Sequence, residues 1–131
     1  MPFMVMQHDV EPKEAIYKAI EGYIENIEVF NNQILVATYM RPEKTKSGLY
    51  IPEKNRGEDQ WQSKIGLVVK MGPTAFNDSS GEWFKDVNIQ INDWVILRPS
   101  DGWNISINGA PFRMIEDIHI KGRVSNPDFV W

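Results

Sequence analysis

From Glu28 to Val124 the chain is cut by turn residues into short runs rich in β-branched and aromatic side chains, and the dipeptide Asn108-Gly109 dictates how two of those runs meet. Both central residues of a two-residue type I′ hairpin need positive φ, which Asn and Gly tolerate best. The runs on either side are therefore predicted to pair antiparallel. Candidate strands are Gln33–Tyr39, Ile65–Lys70, Trp94–Leu97, Asn104–Ile107, Phe112–Ile115 and Ile118–Val124. Turn chemistry at Asn31-Asn32, Ser47-Gly48, Gly72-Pro73, Asp78–Gly81 and Ser100–Gly102 separates them. Many short strands with regular turns specify an all-β fold, a small barrel or sandwich closed by antiparallel pairing.

The segment ahead of these runs has a different period. Between Glu11 and Ile27, apolar residues fall at Ile16, Ala19, Ile20, Tyr23, Ile24 and Ile27, while Lys13, Glu14, Lys18, Glu21 and Glu25 lie elsewhere around the turn. That spacing predicts one amphipathic helix whose packing face is Ile16, Ile20, Ile24 and Ile27. Pro12 suits the first helical turn, Asp9 or Glu11 can satisfy its free amides, and Gly22 weakens the helix locally.

A length of 131 residues suits one domain, and 42% hydrophobic with 24% charged residues is the make-up of a globular protein. The net charge of -4 argues against nucleic-acid binding, which needs concentrated Lys and Arg. No apolar run approaches a membrane span, and Met1–Val10 lacks the cationic start and long apolar stretch of a signal peptide. The absence of cysteine excludes disulfides and thiolate sites and suits synthesis in a reducing cytoplasm.

Enzymatic chemistry finds no constellation to rest on. His8 and His119 are far apart, and His119 alternates with Ile118 and Ile120, which predicts a ring pointing off a strand into solvent. No HExxH, GxSxG, GxGxxG or P-loop spacing occurs. Glu116 and Asp117 are adjacent, which suits a hairpin corner better than paired acid–base work. No catalytic residue, cofactor or metal site is predicted.

One stretch breaks the strand rhythm. Residues 41–64 are mostly charged or polar around a single apolar island, Leu49-Tyr50-Ile51, between Gly48 and Pro52. A loop of that length in a compact barrel is usually functional, and three adjacent apolar side chains suit a surface offered to a partner. A short edge strand capping the barrel is the structural alternative.

The order of these features resembles the GroES-type, ten-kilodalton co-chaperonins. Val29–Val36 resembles that family's first barrel strand, Thr45–Lys54 its mobile loop, and Ile65–Gly72 the next strand and glycine turn. Asp78–Gly81 falls where the family builds a roof hairpin, Val87–Leu97 resembles the following turn and strand, and Phe112–Gly122 the closing hairpin. Asn92 stands where a glycine is usual, and Asn also tolerates positive φ. The resemblance covers Val29 to Val124. It implies a GroES-like barrel that docks onto a chaperonin's apical domains through Leu49, Tyr50 and Ile51. The finer texture of Ile27–Gln33, Pro42–Gly48 and Pro127–Trp131 resembles phage and prophage members of the family.

The expected organisation is an arm and helix over residues 1–28, a barrel over 29–124 with its loop at 41–64, and a tail over 125–131. Family chains begin and end close to their outer strands, which pair between neighbours in a ring, so both extensions lie at the seams. The tail ends in Phe129, Val130 and Trp131, apolar groups expected to seek a partner surface. The extensions lead to a first reading: a phage structural protein that decorates or cements the capsid, resident in the virion. The alternative is a phage co-chaperonin that caps a chaperonin ring in the host cytoplasm while capsid protein folds. Either role implies a homo-oligomer or lattice member, without nucleic acid or membrane.

Overall fold

A computed structural model describes residues 11–41 and 61–130. Its frame is a six-stranded antiparallel sheet. The strands are β1 (Gln33–Thr38), β2 (Ile65–Met71), β3 (Trp94–Ile96), β4 (Trp103–Ile107), β5 (Ala110–Glu116) and β6 (Gly122–Val124), in the spatial order β4-β5-β1-β2-β3-β6. The β4–β5 hairpin turns on Asn108 (φ 50°) and Gly109 (φ 78°), with Ile107 opposite Ala110, as the dipeptide predicts.

Alternation along the central strands sends side chains to two cores. Leu35 and Ala37 of β1, Leu67 and Val69 of β2, Trp94 of β3 and Phe112 of β5 share one cluster. Ile34, Val36, Val68, Val95 and Ile115 point the other way, into a second cluster covered by Ala75, Phe76, Ile89 and Ile120. The first cluster also gathers Ile105 and Ile107 from β4 and Val124 from β6, the two outer strands of the sheet. Side chains from both edges meet in one core because the sheet curls around it, as the expected barrel requires. A register shift between Leu35 and Val36 in the β1–β2 ladder marks a bulge, which bends and twists the strands it interrupts.

Helix α1 (Pro12–Ile20) lies over that core. Glu11 caps it, its Oε2 accepting from the amides of Lys13 (2.9 Å) and Glu14 (3.3 Å), with Pro12 at the first helical position. The predicted helix over Glu11–Ile27 is split: α1 stops at Ile20, and a separate 3₁₀ turn covers Ile24–Asn26. Gly22 at φ 83° is the reason, since the Tyr23 amide closes a tight turn onto the Ile20 carbonyl at 2.9 Å. Ile20 is 0% exposed and sits inside the first cluster, with Ile16, Tyr17, Ile24 and Ile27 packed against it. Two side-chain bonds place α1 between distant strands: Asn108 Nδ2 donates to the Ala19 carbonyl (2.9 Å), and the Tyr17 hydroxyl donates to Asn92 Oδ1. Burial pushes the Tyr17 phenol above its ordinary pKa.

Three expectations need correction. Ile118–Val124 is not one strand: Asp117–His119 form a 3₁₀ turn and β6 begins at Gly122. Asp117 causes the break. It is buried, accepts from Phe76 N (2.9 Å) and Asn32 Nδ2 (3.2 Å), and donates its own amide to the Asn32 carbonyl (3.1 Å). His119 therefore does not point off a strand into solvent; it is half-buried, and its Nδ1 is enclosed without a partner among the described residues. Finally, the Asp78–Gly81 turn is closed by its own side chain. Asp78 accepts from the Ser80 hydroxyl and from the amides of Ser80 (2.7 Å), Gly81 (2.8 Å) and Trp83 (2.8 Å), which holds its carboxyl below the usual range. Amides that a paired hairpin would use go to that carboxylate, and among the described residues 72–92 no strand lies beyond Met71.

Candidate functional site

Leu49, Tyr50 and Ile51 lie outside the described residues, as does Trp131. What is described is the base from which residues 42–60 leave the barrel. On one side, β1 continues past Thr38 so that the Tyr39 amide donates to the Ile65 carbonyl at 3.0 Å. On the other, Ser63 is buried and its hydroxyl donates to the same carbonyl at 3.2 Å. One oxygen thus ties both legs together. Lys64 extends the β2–β3 ladder, its carbonyl accepting from the Leu97 amide at 2.9 Å.

The Tyr39 side chain turns inward. Its ring meets Trp94 edge-on, with centroids 5.5 Å apart and planes at 73°. Its hydroxyl donates to Oδ1 of Asp128 in the tail, and both residues are buried. The tail reaches Tyr39 through a third 3₁₀ turn, Pro127–Phe129, which Asn126 caps by accepting from the Asp128 amide at 2.9 Å.

The tail is therefore not a free arm. Pro127 and Asp128 are buried, and Val130 packs against the first core cluster. Of the predicted terminal contact residues that are described, Phe129 is the exposed one, at 46%. A chain end can bury itself here because β6 delivers it beside Trp94, opposite Val124 in the β3–β6 ladder. Ile16, Ile20, Ile24 and Ile27 likewise face this chain's own core.

Sequence reasoning passed over Tyr39, Ser63 and Asp128 as site residues. Asn126-Pro127-Asp128, a capping residue followed by Pro, is a legible turn-start signal. The partner it reaches is not, because Tyr39 is 89 residues away in sequence. Arg113 was also missed. It is fully buried on β5, with long bonds of 3.4 Å from Nη1 to the Arg98 carbonyl and 3.4 Å from Nη2 to Asn104 Oδ1. Its Nε has no partner among the described residues, and burial lowers its pKa. Among the described residues no group of three His, Cys, Asp or Glu is placed to hold a metal ion.

Comparison with known proteins matches residues 26–124 to the chaperonin 10 Kd subunit family. A co-chaperonin GroES of Syntrophomonas wolfei is 32% identical over 83 residues, covering 63% of this chain and 80% of that protein. A mitochondrial 10 kDa chaperonin of Arabidopsis thaliana is 29% identical over 93 residues, covering 70% of this chain and 86% of that protein. The 10 kDa chaperonin of Brassica napus matches to the same extent, 29% over 93 residues.

Proposed function

The chain belongs to the chaperonin 10 Kd subunit family, and from that membership we propose that it is a co-chaperonin whose Leu49-Tyr50-Ile51 segment docks onto a chaperonin ring. The observation that carries this reading is the joint at Ile65, where both legs of the 42–60 segment are fastened one step past the last rung of the β1–β2 ladder. A partner-binding segment needs such a base: a rigid scaffold that presents an otherwise separate stretch of chain. Burying Leu, Tyr and Ile together gains roughly 5–8 kcal/mol before the ordering cost is subtracted. One copy would bind weakly on that account, and a ring of copies docking together would bind firmly. Assembly into a ring is supported by β4 and β6, the outer strands of the sheet, which have no second strand partner among the described residues.

The capsid reading rested on both extensions being arms that need a neighbour's surface. Helix α1 and the tail as far as Val130 are instead occupied by their own barrel, which leaves the co-chaperonin reading ahead. The protein then acts in the compartment where its chaperonin works, the cytoplasm of the cell that makes it, and needs no catalytic residue or cofactor of its own.

Binding to a purified chaperonin ring with adenine nucleotide present tests the proposal. Wild-type protein is expected to bind, and Leu49→Ser combined with Ile51→Ser to lose at least a hundredfold in affinity while keeping its circular dichroism. Wild-type protein that fails to bind, or a double variant that binds equally well, refutes it. Saturable binding of wild-type protein to purified phage capsids, lost on removal of residues 127–131, would restore the cement reading.

A further inference from the structure

The tail past Val124 lies beyond the family match, which ends at residue 124, yet it makes a buried side-chain bond to the foot of the 42–60 segment. We propose that Asp128 is a positioning residue for partner binding: by holding the Tyr39 hydroxyl it fixes the end of β1 from which that segment departs. The proposal rests on the co-chaperonin reading for what the segment binds, but not for the clasp itself.

Three observations build the clasp from its parts. The turn that carries Asp128 is rigid by construction, with Pro127 at its first position, the Asn126 side chain on the Asp128 amide (2.9 Å) and the Phe129 amide on the Asn126 carbonyl (3.0 Å). Its receiver is equally constrained, because the Tyr39 ring is locked edge-on against Trp94 and the Tyr39 amide closes on Ile65. Trp94 in turn pairs with Val124, four positions before Asp128, so a single strand pair, β3–β6, carries both the aromatic stop and the tail. Val130 then returns to the core and pins the turn from its far side.

A buried donor and acceptor of this kind hold their backbones in place, since separating them forfeits a hydrogen bond in a site screened from water. Fixing the root before docking removes part of the ordering cost that docking would otherwise bear. Because each copy in a ring carries its own root, a small loss per copy is multiplied across the assembly.

The test uses the full chain and three variants: Asp128→Ala, Tyr39→Phe, and Asp128→Asn, which retains an acceptor oxygen. Hydrogen exchange at the Tyr39 amide reports on the root, and exchange at Phe112 and Ile115 reports on the barrel. Asp128→Ala and Tyr39→Phe are expected to speed Tyr39 exchange at least tenfold, leave Phe112 and Ile115 within twofold, and weaken chaperonin binding about tenfold. Asp128→Asn should restore both readouts. Unchanged Tyr39 exchange overturns the proposal. So does an equal rise at Phe112 and Ile115, which would make Asp128 a general stabiliser, and so does faster root exchange with unaltered affinity. If the wild-type protein does not bind a chaperonin at all, the functional reading fails on that arm, while the exchange arm still decides whether Asp128 fixes the end of β1.

Discussion

Replacing Ile20 with alanine asks whether α1 belongs to this chain's own core or serves as an arm for a neighbour. Ile20 is 0% exposed and sits among Leu35, Leu67, Trp94 and Phe112 in the cluster that the sheet curls around. Losing three carbons from a fully buried site forfeits about 2.4 kcal/mol of transfer free energy, at about 0.8 kcal/mol per methylene. If the vacated space stays open, a cavity term adds up to about 2 kcal/mol. The helix and a curled sheet relax only partly, so the expected loss is about 2.5–4 kcal/mol. Ile16→Ala, at a half-buried position on the same face, should cost about 1 kcal/mol or less by the same reckoning. Urea unfolding followed by tryptophan fluorescence reads the difference, with Trp94 buried beside the altered site. For a slope near 2 kcal/mol/M, the midpoint should fall by roughly 1.5 M. Measurements at several protomer concentrations separate intrachain from interchain packing, because a contact between copies makes the loss concentration-dependent. A loss under about 1 kcal/mol, or one that vanishes on dilution, would refute the assignment of α1 to the chain's own core.

Substitutions at two further positions probe the frame. A side chain at Gly72 would meet the Asn31 carbonyl oxygen at 2.2 Å and the Phe30 carbonyl oxygen at 2.7 Å. Gly72→Ala must therefore push the 30–33 turn off the end of β2, and thermal unfolding should show a loss of about 3 kcal/mol or more. Arg113 is a desolvated cation with long bonds and one unpartnered nitrogen. Arg113→Met, which keeps the volume and removes the charge, should be neutral or stabilising by up to about 2 kcal/mol. Arg113→Ala, which leaves a void, should cost about 2–4 kcal/mol. A Met variant that loses as much as the Ala variant in urea unfolding would show that the charge itself holds β5 in place.

Local chemistry accounts for what is legible in the sequence. Asn108-Gly109 dictates its hairpin because few other residue pairs accept two consecutive positive φ values. Asn92 does the work of a glycine, at φ 82°, for the same reason. The strands were readable because β-branched runs bounded by turn residues carry their own signal, and the ordered succession of those runs carries the resemblance to the family. Helix α1 was readable from its period, although its end was set by one residue, Gly22, whose positive φ outweighs the apolar spacing beyond it. Contacts that join distant parts of the chain left no such trace. Asp117 looks like a hairpin corner until Phe76 and Asn32 come to it from other elements. Phe129 and Val130 look like a sticky end until β6 delivers the tail to Trp94 and Tyr39, and Val130 goes inside while Phe129 stays half-exposed. Hydrophobicity says only that a side chain gains by leaving water, and it is indifferent to whose surface supplies the shelter. Whether the terminal residues faced a neighbour or their own barrel was therefore decided by the curl of the sheet and the path of β6, which exist only in three dimensions.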